Sequence, residues 1–427
     1  MPGQSSNADR TSSSTRLSRR RLLNQAASAG AVALAARSPI RAEERAGSGV
    51  LGANERVGVG IIGSGGMGRG HMNNFKKLGA EWIGVCDVYK PNLEAGMEIA
   101  GKNAVAYHEH EKLLDNKDID AVVIGSPEHW HHDHLLATLD AGKDAYCEKP
   151  MCHSIEEGQS MVNAVRKTDR IVQIGMQRRS SETIRQIKEE VFDEGLLGDI
   201  HIVRAEWYWD WHIGSKMSEV NRGDLDWERF CGPAGKQEYE PLKYRAWRYY
   251  WPFSGGNETD QGTHLMDVVQ WMMGADTPRS AVQFGDVYYN QPTETPDTFC
   301  CTFEYPNFMA TWTLCYASNR YRNGWSITFQ GLKGSLFLTE AGYRIFDQVN
   351  GWEDGWPKRA KEHLPGGLTR TEPHIQNFLD CIKSRKQPNA PAEIGHKAVR
   401  PLHLANAALR ANRRAFLEPD GASIRLA

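Results

Sequence analysis

Hydrophobic positions first gather into short, mainly apolar runs and later into alternating ones, and the change divides the chain. The mainly apolar runs are Val57–Ile62, Trp82–Cys86, Ile119–Ile124, Lys143–Cys147 and Ile171–Ile174. Between them lie stretches of helical period, reaching Lys77 and covering 132–142 and 154–168. Strands apolar on both faces, spaced by helices, predict a parallel, doubly wound sheet. From about Met176 the period becomes two, in Val282–Phe284, Thr298–Phe303, Ala310–Leu314, Ile327–Gln330 and Ser335–Leu338. Gly, Asn and Pro separate these runs, so an antiparallel sheet is expected. Glu372–Lys383 places Ile375, Phe378, Leu379 and Ile382 on one helical face. That helix and residues 396–413 are expected to pack back on the antiparallel sheet.

The first fifty residues fit neither pattern. Residues 1–17 are rich in Ser, Thr and Asn and are expected to be disordered. Ser18-Arg19-Arg20-Arg21-Leu22-Leu23 then leads into an apolar, small-residue run from Ala26 to Ala36. A charged start, a short apolar stretch and small residues at its end make a signal peptide, too short for a stable membrane span. The arginines before it resemble a twin-arginine signal, the bland alternative being a basic disordered tail. The resemblance implies a twin-arginine export machinery as partner and a periplasmic destination, with folding and cofactor loading before export. Cleavage after Ala36 or after Ala42 stays open.

The first strand runs straight into Gly63-Ser64-Gly65-Gly66-Met67-Gly68 and a helix. This is G-x-G-x-x-G in a strand–turn–helix setting. Gly63 permits the tight turn, Gly65 lets backbone approach a pyrophosphate at the helix N-terminus, and Gly68 lets helix and strand pack closely. The second strand ends in Asp87, nineteen residues after Gly68, where a ribose-binding carboxylate belongs. The cofactor expected is a tightly bound NAD, since Asp87 repels a 2′-phosphate; Lys90 nearby keeps NADP as the alternative. The chain is thus an α/β protein. An N-terminal Rossmann doubly wound parallel sheet spans 55–175. A C-terminal α+β domain with a large antiparallel sheet spans 176–390, and 391–427 packs back on both. The strand ends carry Ser126-Pro127-Glu128-His129-Trp130-His131-His132 and Glu148-Lys149-Pro150, and ligands bind at such ends.

Composition changes the picture little. With 427 residues, 40% hydrophobic and 24% charged, the chain suits two packed domains after a leader. A net charge of −2 provides no field for nucleic acid or anionic lipid. Eight cysteines, several in apolar strands, show no C-x-x-C pair and read as small buried hydrophobes. His129, His131, His132 and His134 lack carboxylate or cysteine partners at ligand spacing, so no metal is expected. The preferred reading is a loop lining the nicotinamide pocket. The thirteen tryptophans serve either the core or a surface that stacks sugar rings. In Trp207-Tyr208-Trp209-Asp210-Trp211-His212 the choice is between a buried strand edge and a sugar-binding wall, with a lean to the wall.

From about Val57 almost to the C-terminus the chain resembles the glucose-fructose oxidoreductase / inositol dehydrogenase / rhizopine catabolism family, Gfo/Idh/MocA. The resemblance rests on the glycine turn, Pro127–His131, Glu148-Lys149-Pro150 and Asp260-Gln261-Gly262-Thr263-His264. Trp247–Trp251, Gly255-Gly256 and Gly175-Met176-Gln177-Arg178-Arg179 resemble a subgroup with twin-arginine leaders. The family implies Lys149, Asp260 and His264 as the catalytic set. It implies a cofactor site of Gly63, Ser64, Gly65, Gly66, Met67, Gly68, Asp87, Ser126, Pro127, His129, His131, Glu148, Lys149 and Gln177. It further implies hydride transfer to or from a sugar, inositol or related polyol, and a homo-oligomer. Removing hydride from a carbinol needs a base for the hydroxyl proton and positive charge beside the alkoxide, which a lysine can supply. Asp260 and His264, four apart in a helix predicted from Glu258 to Met273, share a face. The competing readings are an NAD-dependent glycosidase of the same fold and a non-catalytic sugar sensor or scaffold; an intact Lys149 disfavours the first.

Overall fold

The computed structural model describes residues 56–427 apart from 217–218, 319–323 and 354–355. The signal-peptide reading of residues 1–50 lies outside them. Six parallel strands form the first sheet: β1 (Gly58–Ile62), β2 (Glu81–Cys86), β3 (Val105–Tyr107), β4 (Ala121–Ile124), β5 (Asp144–Cys147) and β6 (Val172–Ile174). Their order is β3-β2-β1-β4-β5-β6. The order reverses between β1 and β4, and such a reversal opens a crevice at the carboxyl ends of the strands. The connecting helices are α1 (Gly66–Lys77), α2 (Lys90–Ala100), α3 (His131–Asp140) and α4 (Ile155–Val165). β1, β4, β5 and β6 are buried at every position, which is why they read as mainly apolar runs; Asp144 of β5 and Gln173 of β6 are the buried polar exceptions.

The second sheet has ten strands: β7 (Ile200–Tyr208), β8 (Ser280–Asp286), β9 (Thr298–Glu304), β10 (Met309–Cys315), β11 (Gly324–Gly331), β12 (Gly334–Thr339), β13 (Gly342–Glu353), β14 (Trp356–His363), β15 (Ala415–Leu417) and β16 (Ile424–Leu426). The order is β14-β13-β12-β11-β7-β10-β9-β8-β15-β16. All its pairings are antiparallel except β7 with β10. Alternate residues of β9 and β10, such as Phe299, Cys301, Phe303 and Ala310, Trp312, Leu314, are buried against α5 (Gly256–Met273). Here the alternating pattern has a physical cause: one face is covered and the other open.

Two helices correct the sequence reading. α6 (Glu372–Ser384) was expected on the antiparallel sheet. Its Ile375, Phe378, Leu379 and Ile382 instead join Val59, Ile61, Phe75 and Tyr146 on one face of the parallel sheet. Its apolar stripe identifies a buried face without identifying the partner. α7 (Ala392–Ala411) spans both cores: Ala398 and Val399 pack with β5 and β6, and Leu402, Leu404 and Ala405 with α5 and β8. The cysteine reading also needs amendment, since Cys300 is exposed and Cys315 half-buried on the open sheet face. Finally, Trp207 and Tyr208 end β7, which lies between β10 and β11, and Trp207, Trp209 and Trp211, with ring centres 6.4 and 5.1 Å apart, are partly buried against the core of the antiparallel sheet.

Candidate active site

A cleft of about 570 Å³ opens at the β1/β4 reversal. Gly63, Gly65, Gly66, Met67, Cys86, Asp87, Ser126 and Pro127 line it from the first domain, and Tyr244, Arg245, Trp247 and Arg248 from the second. Gly63 has φ +91°, and a Cβ there would sit 2.7 Å from the backbone of Gly125 and Ser126. A Cβ on Gly68 would lie 2.1 Å from the carbonyl oxygen of Gly63. Above Gly66 nothing stands within 4 Å, and Gly65 caps α1 without a side-chain bond. Gly65, Gly66 and Met67 line the cleft, so the start of α1 is open to it, as a pyrophosphate requires. These residues fit a dinucleotide.

Asp87 is buried, and its oxygens are already engaged. Oδ2 accepts from the Ser64 N–H at 2.8 Å and its hydroxyl at 3.2 Å, and Oδ1 accepts from the Tyr89 N–H at 2.9 Å. Burial raises its carboxyl to about 6, against the pull of those donors. Asp87 thus holds the glycine turn in shape as well as lining the cleft. Lys90, the residue that kept NADP open, is 61% exposed and lies 3.9 Å from Glu94, outside the cleft lining.

The EKP turn and α5 bring the expected catalytic residues together. Lys149 Nζ donates to Asp260 Oδ1 at 2.8 Å and to the Asp260 carbonyl at 3.1 Å, with side chains only 8% and 5% exposed. Arg248 Nε reaches the same Oδ1 at 3.2 Å. Burial alone would raise the Asp260 carboxyl; Lys149 and Arg248 outweigh it and hold the group well below the usual range. His264 stands one turn further along α5. Burial, and then the charges of Lys149 and Arg178, keep its imidazole well below its ordinary value, so it is neutral. Arg178 is itself buried, donates to the His264 carbonyl at 2.8 Å and lies over Trp325 at 3.9 Å.

Other expected site residues are bonded within the protein. His129 has one ring nitrogen 2.8 Å from the Phe230 carbonyl and the other 3.3 Å from the Phe253 carbonyl. His131 bridges the carbonyls of Pro150 and Ser126 at 2.6 and 2.9 Å. Both are buried and, like Lys149, Asp260 and His264, lie outside the cleft lining; from the same segment Trp130 and His134 line it, their rings stacked 4.5 Å apart. Glu148 is bonded to His71 of α1 at 2.6 Å and to the Lys149 N–H at 3.1 Å. Burial would raise its carboxyl, and His71 outweighs that, so it is lowered. It shapes the lysine's turn and presents no free carboxylate to a cofactor. Gln177 is half-buried in the turn after β6 and also lies outside the cleft lining. Among the described residues no group of three or more His, Cys, Asp or Glu side chains could hold a metal ion.

Sequence reading missed Arg248 and Glu128. Arg248 lies in the Trp247–Trp251 segment, noted only as a family mark; nothing in its spacing ties it to Asp260. Glu128 follows β4, is fully buried, and accepts from Ser254 Oγ at 2.7 Å, the Gly255 N–H at 3.1 Å and Thr259 Oγ1 at 3.2 Å. The N-terminus of α5 has no side-chain cap of its own. Glu128 supplies one from the other domain.

Comparison with known proteins agrees with this geometry. Residues 57–176 match the Gfo/Idh/MocA oxidoreductase family, NAD-binding Rossmann fold, and residues 220–415 match its C-terminal alpha/beta domain. An inositol 2-dehydrogenase/D-chiro-inositol 3-dehydrogenase of Lacticaseibacillus casei is 35% identical over 146 residues, 34% of this chain and 42% of that protein. The chain thus spans less than half the length of that relative. A D-glucoside 3-dehydrogenase of Escherichia coli is 24% identical over 288 residues, 64% of this chain and 72% of that protein. The WlbA dehydrogenase of Bordetella pertussis, solved with NADH and UDP-GlcNAcA, shares the fold. Its TM-score is 0.67 at 20% identity, over 85% of this chain and 99% of that one.

Proposed function

The chain belongs to the Gfo/Idh/MocA oxidoreductase family, and we propose that it moves hydride between bound NAD and a hydroxyl carbon of a sugar, inositol or related polyol. The observation that carries this reading is the Lys149–Asp260 pair, joined through Arg248 to the wall of the dinucleotide cleft. When bound, NAD supplies the hydride acceptor or donor. The glycine turn and the α1 N-terminus hold its pyrophosphate, and Asp87 keeps that turn rigid. Lys149 Nζ places positive charge beside the substrate oxygen and exchanges its proton. Asp260 orients Lys149 through Oδ1. His264, kept neutral, can accept a hydrogen bond or a proton from the substrate hydroxyl. The purified protein, mixed with inositols, hexoses and glucosides in turn, is expected to change its nicotinamide absorbance with at least one of them. No change with any polyol, in either direction, would return the sensor reading to first place.

Export by the twin-arginine route to the periplasm belongs to the same proposal, because a protein that must enclose a dinucleotide is best loaded before it crosses the membrane. Converting Arg19 and Arg20 to Lys is expected to trap precursor in the cytoplasm, read by fractionation and immunoblot. Normal export of the double variant would refute that route. The proposal also includes a homo-oligomer. Phe284, 73% exposed, and Met309, 48% exposed, stand on the open sheet face, which suits burial against a second copy.

A further inference from the structure

Arg248 has a place in the site that the Lys149–Asp260–His264 set does not explain. Its side chain is 38% exposed, lines the cleft and lies over the Trp247 ring at 4.3 Å, which fixes the plane of the guanidinium. Nε is spent on Asp260. Among the described residues the two η nitrogens make no hydrogen bond, so a planar pair of donors is left toward the cleft at its reacting end.

Charge around this fork is unbalanced. Lys149 and Arg248 share the carboxylate of Asp260, while Glu148, beside Lys149 in the chain, is taken up by His71 and the Lys149 N–H. Arg178, behind His264, forms no ion pair among the described residues; its bonds go to a carbonyl and a ring face, and the carboxylates of Glu340 and Asp267 act on it only from beyond contact. His264 adds no negative charge. Glu128 has its carboxyl raised to about 8 by burial and so is largely uncharged at neutral pH. An oxidised nicotinamide brings one more positive charge. A neutral polyol would leave these cations crowded in a space of low dielectric. An anionic substituent on the substrate would balance them, and a planar fork matches a carboxylate with two parallel N–H···O bonds.

We propose that Arg248 is a substrate-reading residue and that the substrate is a sugar acid, a polyhydroxylated ring or chain bearing a carboxylate on the same molecule as the hydroxyl carbon that exchanges hydride. The inference rests on the oxidoreductase reading above and narrows its substrate class. The pyrophosphate of the cofactor is not the anion in question, because the glycine turn and the α1 N-terminus provide for it.

The test pairs compounds that differ in the carboxylate alone: D-glucuronate with D-glucose, and D-galacturonate with D-galactose. Binding to the NAD-loaded protein is followed by tryptophan fluorescence, Trp247 lying against Arg248, so that an answer comes whether or not turnover occurs. Wild-type protein is expected to bind at least one acid about 10²-fold tighter than its neutral partner, the scale of a bidentate charged pair. Arg248→Met should erase that preference, and Arg248→Lys, which keeps charge but loses the fork, should keep only part of it. NAD affinity should stay within several-fold in both variants. Equal binding of acid and neutral sugar by the wild type overturns the proposal, as does a preference that survives in Arg248→Met. Loss of NAD binding in both variants would assign Arg248 to the cofactor and also overturn it. Tight acid binding without hydride transfer would support the substrate class and count against the oxidoreductase reading alone.

Discussion

Lys149→Met is expected to slow hydride transfer by about 10²- to 10⁴-fold, the range for losing a positioned acid–base group. NAD affinity should remain within several-fold of wild type. The lysine ammonium faces Asp260 on α5, whereas the phosphate-binding turn is built from backbone and from Asp87. Removing one partner of a buried ion pair ordinarily leaves an uncompensated charge and destabilises strongly. Here Arg248 keeps hold of the same Asp260 oxygen, so the variant should fold. His264→Ala should lose less, because lysine can take over the proton. Asp260→Asn should fall between, since the amide retains an acceptor but not the charge that holds Lys149 and Arg248. The effect should appear in kcat, because these groups act on charge that develops in the transition state. Single-turnover nicotinamide absorbance measures it once a substrate is in hand. Near-normal transfer in Lys149→Met would show that the proposed catalytic set is wrong.

Glu128→Gln should make the protein more stable at alkaline pH and change little near pH 5. Burial raises the Glu128 carboxyl from an ordinary 4.5 to about 8, despite donors from Ser254, Gly255 and Thr259. Between those values the folded protein keeps a proton that the unfolded chain has already lost. Stability therefore falls as pH rises through that window, by roughly 3–5 kcal/mol in all. Glutamine stays neutral throughout and removes this slope. Apparent unfolding midpoints from pH 5 to 9 read the difference, which should grow with pH and level off above pH 8. A constant offset between the two proteins would mean that Glu128 does not hold its proton. Activity near neutral pH should change little, because the amide, like the protonated carboxyl, keeps one oxygen to accept from Ser254 and Gly255 at the start of the helix carrying Asp260.

The parallel sheet, its glycine turn and most of the antiparallel strands could be read directly, because each is set by local rules. A strand covered on both faces must be apolar throughout, a strand covered on one must alternate, and a turn that admits no Cβ must use glycine. Lys149, Asp260 and His264 were named through family resemblance, since no spacing along the chain connects the turn after β5 with a helix more than a hundred residues later. Local pattern failed where the partner decides the role. The stripe Ile375, Phe378, Leu379, Ile382 announced a buried face, yet only packing assigned it to the parallel sheet. His129, His131 and Glu148 have the chemistry of site residues, and tertiary contacts spend them on carbonyls and on His71. Arg248 and Glu128 lay inside segments already singled out, but nothing local distinguished them from their neighbours there. What the sequence determined by itself was the architecture and the dinucleotide cradle, which depend on backbone shape and on the period of apolar residues. Which polar groups stand free to act was decided by the tertiary structure, because a donor or acceptor is available only when no neighbour from a distant segment has already taken its bond.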